Sequence, residues 1–198
     1  MILQTVMKRF RFMAMMLMAC IPLAFCSCSD DDDDNGGGNG SGSTITVGGN
    51  NVSFNTFYWT ANDEDATVSG GEHFYQIEFY TFDLYKAYTG GGSIPGMFSL
   101  MYVSFVTEGS LDRLPTGTFE YGEYEMSGVI NATVNDGEGE NYIEEGEGSG
   151  HLIITEKDGK YTVSIDPLNI EDGNSGAIYP SSFLFTGTPK KVPAGIGE

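Results

Sequence analysis

His151-Leu-Ile-Ile-Thr-Glu-Lys-Asp-Gly-Lys-Tyr-Thr-Val-Ser-Ile-Asp166 reads as two strands and the turn between them. Asp158-Gly159 suits a two-residue type I′ turn, because both central positions of that turn need positive φ. The turn fixes the register: Lys157 faces Lys160, Glu156 faces Tyr161, and Ile154 faces Val163. Side chains alternate along a strand, so Leu152, Ile154, Tyr161, Val163 and Ile165 share one face, the core face. Ile153, Thr155, Thr162 and Ser164 fall on the other. The same register sets His151 opposite Asp166, which is read as a cross-strand ion pair at the end of a sheet.

The rest of the chain repeats this grammar. Short runs rich in Val, Ile, Thr, Tyr and Phe alternate with Gly, Asn and Asp clusters, and no window carries a sustained helical stripe. Strands are expected near 44–48, 51–60, 73–82, 97–106, 117–122, 126–134, 150–157, 160–166 and 182–188, with a short helical turn over Asp83 to Tyr88. The expected fold is all-β: a single antiparallel β-sandwich of about 8–10 strands. The alternative is a closed lipocalin-like barrel. The sandwich is preferred because a Gly-x-Trp opening strand is missing; Trp59 follows Tyr58, late in its strand.

The N-terminus reads as an export signal over residues 1–27. Lys8, Arg9 and Arg11 precede an apolar stretch from Met13 to Phe25, which is of secretory length and too short for a bilayer span. Three cysteines compete as the lipid attachment site. Cys28 fits best, with Ser27 before it and an acidic run after it. Cys26 has bulky Phe25 just before the cut, and cleavage at Cys20 would leave Ile21 to Phe25 as an apolar stub. Cys28-Ser29-Asp30-Asp31-Asp32-Asp33-Asp34 resembles the start of mature Bacteroidetes-type surface lipoproteins. That resemblance implies a lipid anchor in the outer membrane with the domain facing the cell exterior. Leu114-Pro-Thr-Gly-Thr-Phe119 and Ser182-Phe-Leu-Phe-Thr-Gly187, with the hairpin between them, are similar to small uncharacterised β domains of such lipoproteins. That second resemblance covers most of residues 114–188 and implies no function.

All three cysteines lie in or beside the signal, so the mature domain holds no disulfide and no cysteine metal site. Residues 28–43, acidic and then Gly/Ser/Asn-rich, offer nothing to bury and read as a tether with a reach of roughly 20 Å. The domain is expected over 44–189 and a flexible tail over 190–198. Three of the nine basic residues lie in the signal. The mature chain therefore sets six basic against twenty-eight acidic side chains, a formal charge of −22. Such a surface repels nucleic acid and anionic lipid, and no basic patch offsets it.

No catalytic residue, cofactor site or metal site is assigned. The two histidines, His73 and His151, are far apart in sequence, and no zinc-helix or nucleophile-elbow motif occurs. The acidic segment Asp136 to Glu147 lacks the EF-hand order and is expected to be a solvated loop.

Aromatics are the surplus: eleven Tyr, thirteen Phe and one Trp. Met97 to Val106 is apolar on both faces. Phe74 to Phe82 places Phe74, Gln76, Glu78 and Tyr80 opposite the face of Tyr75, Ile77 and Phe79. A mixed aromatic and polar face suits sugar binding, with rings for stacking and amide or carboxylate groups for hydroxyls. Trp59, Phe74, Gln76, Glu78, Tyr80 and Tyr102 are the candidate ligand residues. The bland reading of the same strand is a central one whose second face is covered, with Gly-rich 89–96 as the cover. The expected function is a non-enzymatic surface module binding a glycan or a small amphipathic ligand. The alternatives are a structural or accessory subunit with an envelope protein partner, and a carboxylate-dependent hydrolase.

Overall fold

The computed structural model describes residues 43–47, 50–62, 71–133 and 142–192. The expected signal, Cys28 and all of the expected tether except Ser43 lie outside the described residues.

The domain is all-β and sandwich-like. Its strands are β1 (Ser43–Val47), β2 (Asn50–Phe54), β3 (Thr56–Asn62), β4 (Glu72–Tyr80), β5 (Met97–Glu108), β6 (Gly117–Phe119), β7 (Tyr124–Thr133), β8 (Tyr142–Glu145), β9 (His151–Lys157), β10 (Lys160–Asp172), β11 (Ile178–Gly187) and β12 (Lys190–Lys191). One short helix, α1 (Leu84–Tyr88), follows β4 and is capped by Asp83, whose carboxylate accepts the Lys86 backbone N–H.

Ten strands form one sheet in the order β12-β3-β4-β5-β7-β8-β10-β9-β6, with β11 on the far edge of β10; β1 and β2 form a separate hairpin. All pairings are antiparallel except β12 with β3. The sheet folds back on itself. Phe79 of β4 meets Phe183 and Phe185 of β11, with ring centroids 4.9 and 5.2 Å apart, although β4 and β11 share no ladder. Phe105 of β5 meets Phe119 of β6 at 4.4 Å. Phe54 of the β1–β2 hairpin closes one side of this core against Phe79 and Phe183. One continuous cluster therefore joins both halves, and rings supply much of its apolar area. The described strands do not close into a barrel. Beyond Gly187 the chain crosses to the other side of the fold, where β12 borders β3 and Val192 N–H bonds Trp59 O at 2.9 Å.

The 151–166 hairpin has the register expected from its turn. Asp158 and Gly159 take φ of 55° and 75°. Leu152, Ile154, Tyr161, Val163 and Ile165 are buried, whereas Ile153 is 37% exposed. His151 differs from its expectation: its Nε2 pairs with Glu120 Oε2 at 2.9 Å, not with Asp166 across the strand.

Other differences have local causes. The expected 51–60 strand breaks at Asn55, where pairing passes from β1 to β4; its N–H bonds Tyr80 O at 2.9 Å and its side-chain amide donates to Thr81 O. Expected strand 160–166 runs on to Asp172, because an irregularity at Asp166–Pro167 shifts the alternation by one residue and Leu168 and Ile170 again point inward. Within the expected acidic loop, residues 142–145 form β8, which pairs with both β7 and β10; 136–141 lie outside the described residues. Gly128 of β7 admits no side chain. A Cβ there would stand 2.4 Å from Leu100 O and 3.1 Å from Met101 Cα.

Candidate functional site

Pairing register decides which side chains can meet. On the outer face of the β3–β8 half, three rows run across the strands. One is Thr60, Gln76, Ser104 and Glu125. The next is Tyr58, Glu78, Tyr102, Ser127 and Glu144. The third is Thr56, Tyr80, Leu100, Val129 and Tyr142. Tyr80, Leu100 and Val129 of the third row join Tyr58 in a small apolar cluster, against which Phe82, Leu84, Phe98, Tyr102 and Val192 pack. The side chains packed on this cluster come from the segment around α1, from Phe98 and from Val192 just after β12, and none from residues 89–96. The first two rows make a polar band of half-buried side chains, Tyr58 excepted.

The structure brings Phe74, Gln76, Glu78, Tyr80 and Tyr102 onto this one face. Trp59 is not among them. It pairs with Ile77, points into the core, stacks near Tyr75 at 6.5 Å, and carries the Lys191 ammonium 5.4 Å from its ring. Phe74 and Tyr80 are buried, so they cannot offer an open ring. Tyr102 is partly buried, packed on the apolar cluster. Thr60, Ser104, Glu125, Ser127 and Glu144 were missed, because only strand order reveals that they continue the rows.

Gln76 Nε2 donates to Glu78 Oε1 at 2.8 Å, and Tyr80 Oη donates to Glu78 Oε2 at 2.6 Å. Tyr80 and Tyr102 hydroxyls lie 3.4 Å apart. Burial pushes the Glu78 carboxyl up, against those two hydrogen bonds, which favour its charged form. Burial likewise pushes Tyr80 and Tyr102 up, and the Glu78 charge adds to it. At the end of β3, Asn62 Oδ1 is buried without a hydrogen-bond partner among the described residues.

The β12 border of the band is tied down by charge. Tyr58 Oη donates to Asp83 Oδ1, and Lys190 Nζ reaches Asp83 Oδ2 at 3.3 Å while lying 5.8 Å from the Tyr58 ring. Burial alone would raise the Asp83 carboxyl; bonds from Tyr58, the Lys86 amide and Lys190 outweigh it and hold it below its usual range.

Glu145 is a second perturbed carboxyl, on the inner side where β7 and β8 part. Burial pushes it up to about 7, opposed by the bond it accepts from the Met126 N–H. Its side chain completes a ladder that β8 is too short to continue.

The described clefts lie elsewhere. One, of about 410 Å³, is lined by Arg113, Thr116, Gly117, Thr118, Ile153, Ile154, Thr155 and Glu156 beside β6. Arg113 and Glu156 are bridged across it at 2.9 Å. The histidines stay apart: His73 sits edge-on to Tyr75 at 6.2 Å in β4, and His151 lies in β9. Among the described residues no three His, Cys, Asp or Glu side chains form a metal-holding group. No family model, curated protein or solved structure matches the chain.

Proposed function

We propose that the protein is a non-enzymatic surface lipoprotein, anchored in the outer membrane through Cys28, whose domain binds a glycan or small amphipathic ligand. The binding surface is the outer face of β3, β4, β5, β7 and β8. The observation that carries this reading is the polar band itself. Two in-register rows of Gln, Glu, Ser, Thr and Tyr side chains lie half-buried beside a small apolar cluster. Amides, hydroxyls and carboxylates on a rigid sheet match sugar hydroxyls, and the apolar border suits a sugar's C–H face. Both Glu78 oxygens already accept bonds from Gln76 and Tyr80, which favours binding over proton transfer.

The test is a panel of polysaccharides and small amphiphiles scored for both binding and product release. The reading predicts a thermal shift with at least one of them, by mass action, and no turnover. Turnover that disappears on replacing Glu78 would overturn it. The anchor is tested separately: Cys28→Ala should release the protein from membranes, and protease applied to intact cells should remove the domain.

The second reading, an accessory subunit of an envelope complex, is favoured by one feature. On the outer face of β9–β10–β11, Ile153 and Leu184 flank Ser164 in register, and Leu184 is 62% exposed. Recovery of one defined envelope partner, lost on Leu184→Asp, would favour it.

A further inference from the structure

We infer that the band takes an uncharged oligosaccharide laid across the strands, and that its electrostatics exclude acidic glycans. This rests on the reading that the outer face of β3–β8 is the binding surface.

The first argument is charge. β3, β4, β5, β7 and β8 contain no Lys or Arg. The band itself carries Glu78, Glu125 and Glu144. Lys190 stands on the β12 border beside Tyr58, and Asp83 engages its ammonium at 3.3 Å. A uronate or sulfate on these strands would meet carboxylates, with no Lys or Arg on the strands themselves to pair with, inside a chain whose formal charge is already strongly negative. Like charges brought onto a half-buried face repel strongly, so this arrangement discriminates against anions whatever else it binds.

The second argument is shape. The half-buried part of the second row, from Glu78 to Glu144, crosses four neighbouring strands, three spacings, or roughly 14 Å. Neither described cleft includes a band residue. A long shallow band of hydrogen-bonding groups gains affinity with each sugar unit added along it, unlike an enclosed pocket, which saturates with one. Thr60, Ser104 and Ser127 can both donate and accept, and the carboxylates and Gln76 carbonyl accept from sugar hydroxyls.

Titration calorimetry tests both points. The full lipoprotein is held in a non-sugar detergent and titrated with hexamers of glucose (α- and β-linked), xylose and mannose, their disaccharides, and a galacturonate hexamer. At least one neutral hexamer should bind about tenfold or more tightly than its disaccharide, and the galacturonate hexamer should not bind. Gln76→Ala should weaken the hexamer severalfold. Glu125→Lys should let galacturonate bind, a gain that a misfolded variant could not produce. Thr162→Ala, on the opposite outer face, should change nothing. Galacturonate binding as tightly as the neutral hexamers would overturn this inference and leave the surface-binding reading standing. Equal affinity for disaccharide and hexamer would overturn the extended site. Silence from every sugar and from amphiphiles would overturn the reading beneath it.

Discussion

The two outer faces of the folded sheet are built differently. Across β3, β4, β5, β7 and β8 the outward side chains set a half-buried band of Gln, Glu, Ser, Thr and Tyr beside a buried apolar cluster, and Gln76 and Tyr80 both bond Glu78. Across β9–β11 they are small or aliphatic: Thr155, Thr162 and Thr186 in one row, Ile153, Ser164 and Leu184 in the next. A Thr162–Thr186 hydroxyl contact of 3.0 Å is made there. Both halves press the same kind of inner face into one core, yet only the first has invested its outer face with preorganised polar groups. Such groups carry a desolvation cost that a face serving only solubility does not need to bear.

The contrast can be broken or sharpened by mutation. Its deepest root is the shared core. Phe79 is fully buried between Phe54, Phe57, Phe183 and Phe185. Phe79→Ala should cost about 3–5 kcal/mol through lost burial and a cavity, measured by chemical denaturation. A loss below about 1 kcal/mol would mean the halves do not pack as described.

The second half is tested by a neighbouring pair. Ile154→Ala should cost about 2–4 kcal/mol, because that side chain is buried, whereas Ile153→Ala should stay within about 0.5 kcal/mol. Equal losses would show that the outer face of β9 is covered as well.

Glu145 gives the junction of the halves a pH signature. Its ordinary value is 4.5 and the fold raises it to about 7. Between those values the folded chain holds a proton that the unfolded chain has released. Stability from this group therefore falls as pH rises from 4.5 through 7, and the loss is complete above it. Glu145→Gln keeps an acceptor for Met126 N–H and removes the titration. It should raise stability at pH 8 by on the order of 1–3 kcal/mol and change it little at pH 4. A melting-temperature difference from wild type that does not vary with pH would contradict this.

The smallest effect belongs to the border of the band. Lys190→Ala loses a surface ion pair and a ring contact, for about 0.5–1 kcal/mol at low salt. The difference should shrink as salt is added.

The same contrast explains what was legible in the sequence. The 151–166 hairpin alternates cleanly and carries its own turn, so register, core face and the exposure of Ile153 all followed from local rules. β5 is apolar on both faces and β4 is aromatic on one and mixed aromatic and polar on the other, and alternation there marks two faces without saying what covers either. Trp59 shows the limit. Its strand was identified, but its face depends on pairing with Ile77 of β4. β8 was hidden because Tyr142 and Ile143 sit in a run of glutamates, where local charge argued for solvent and tertiary pairing prevailed. The band's membership was illegible for the same reason: Ser104, Glu125, Ser127 and Glu144 are ordinary strand residues until β5, β7 and β8 are set side by side.

The most direct test of the central claim is a map of where the ligand sits. Amide chemical-shift changes can be followed in the labelled protein while the tightest-binding neutral hexamer is titrated in. The account predicts that the largest changes fall on Gln76, Tyr102, Ser104, Glu125 and Ser127, with the amides of β9–β11 unmoved. Changes centred on Arg113, Thr118, Ile153 and Thr155, around the β6 cleft, would contradict it and move the functional face to the other half of the sheet.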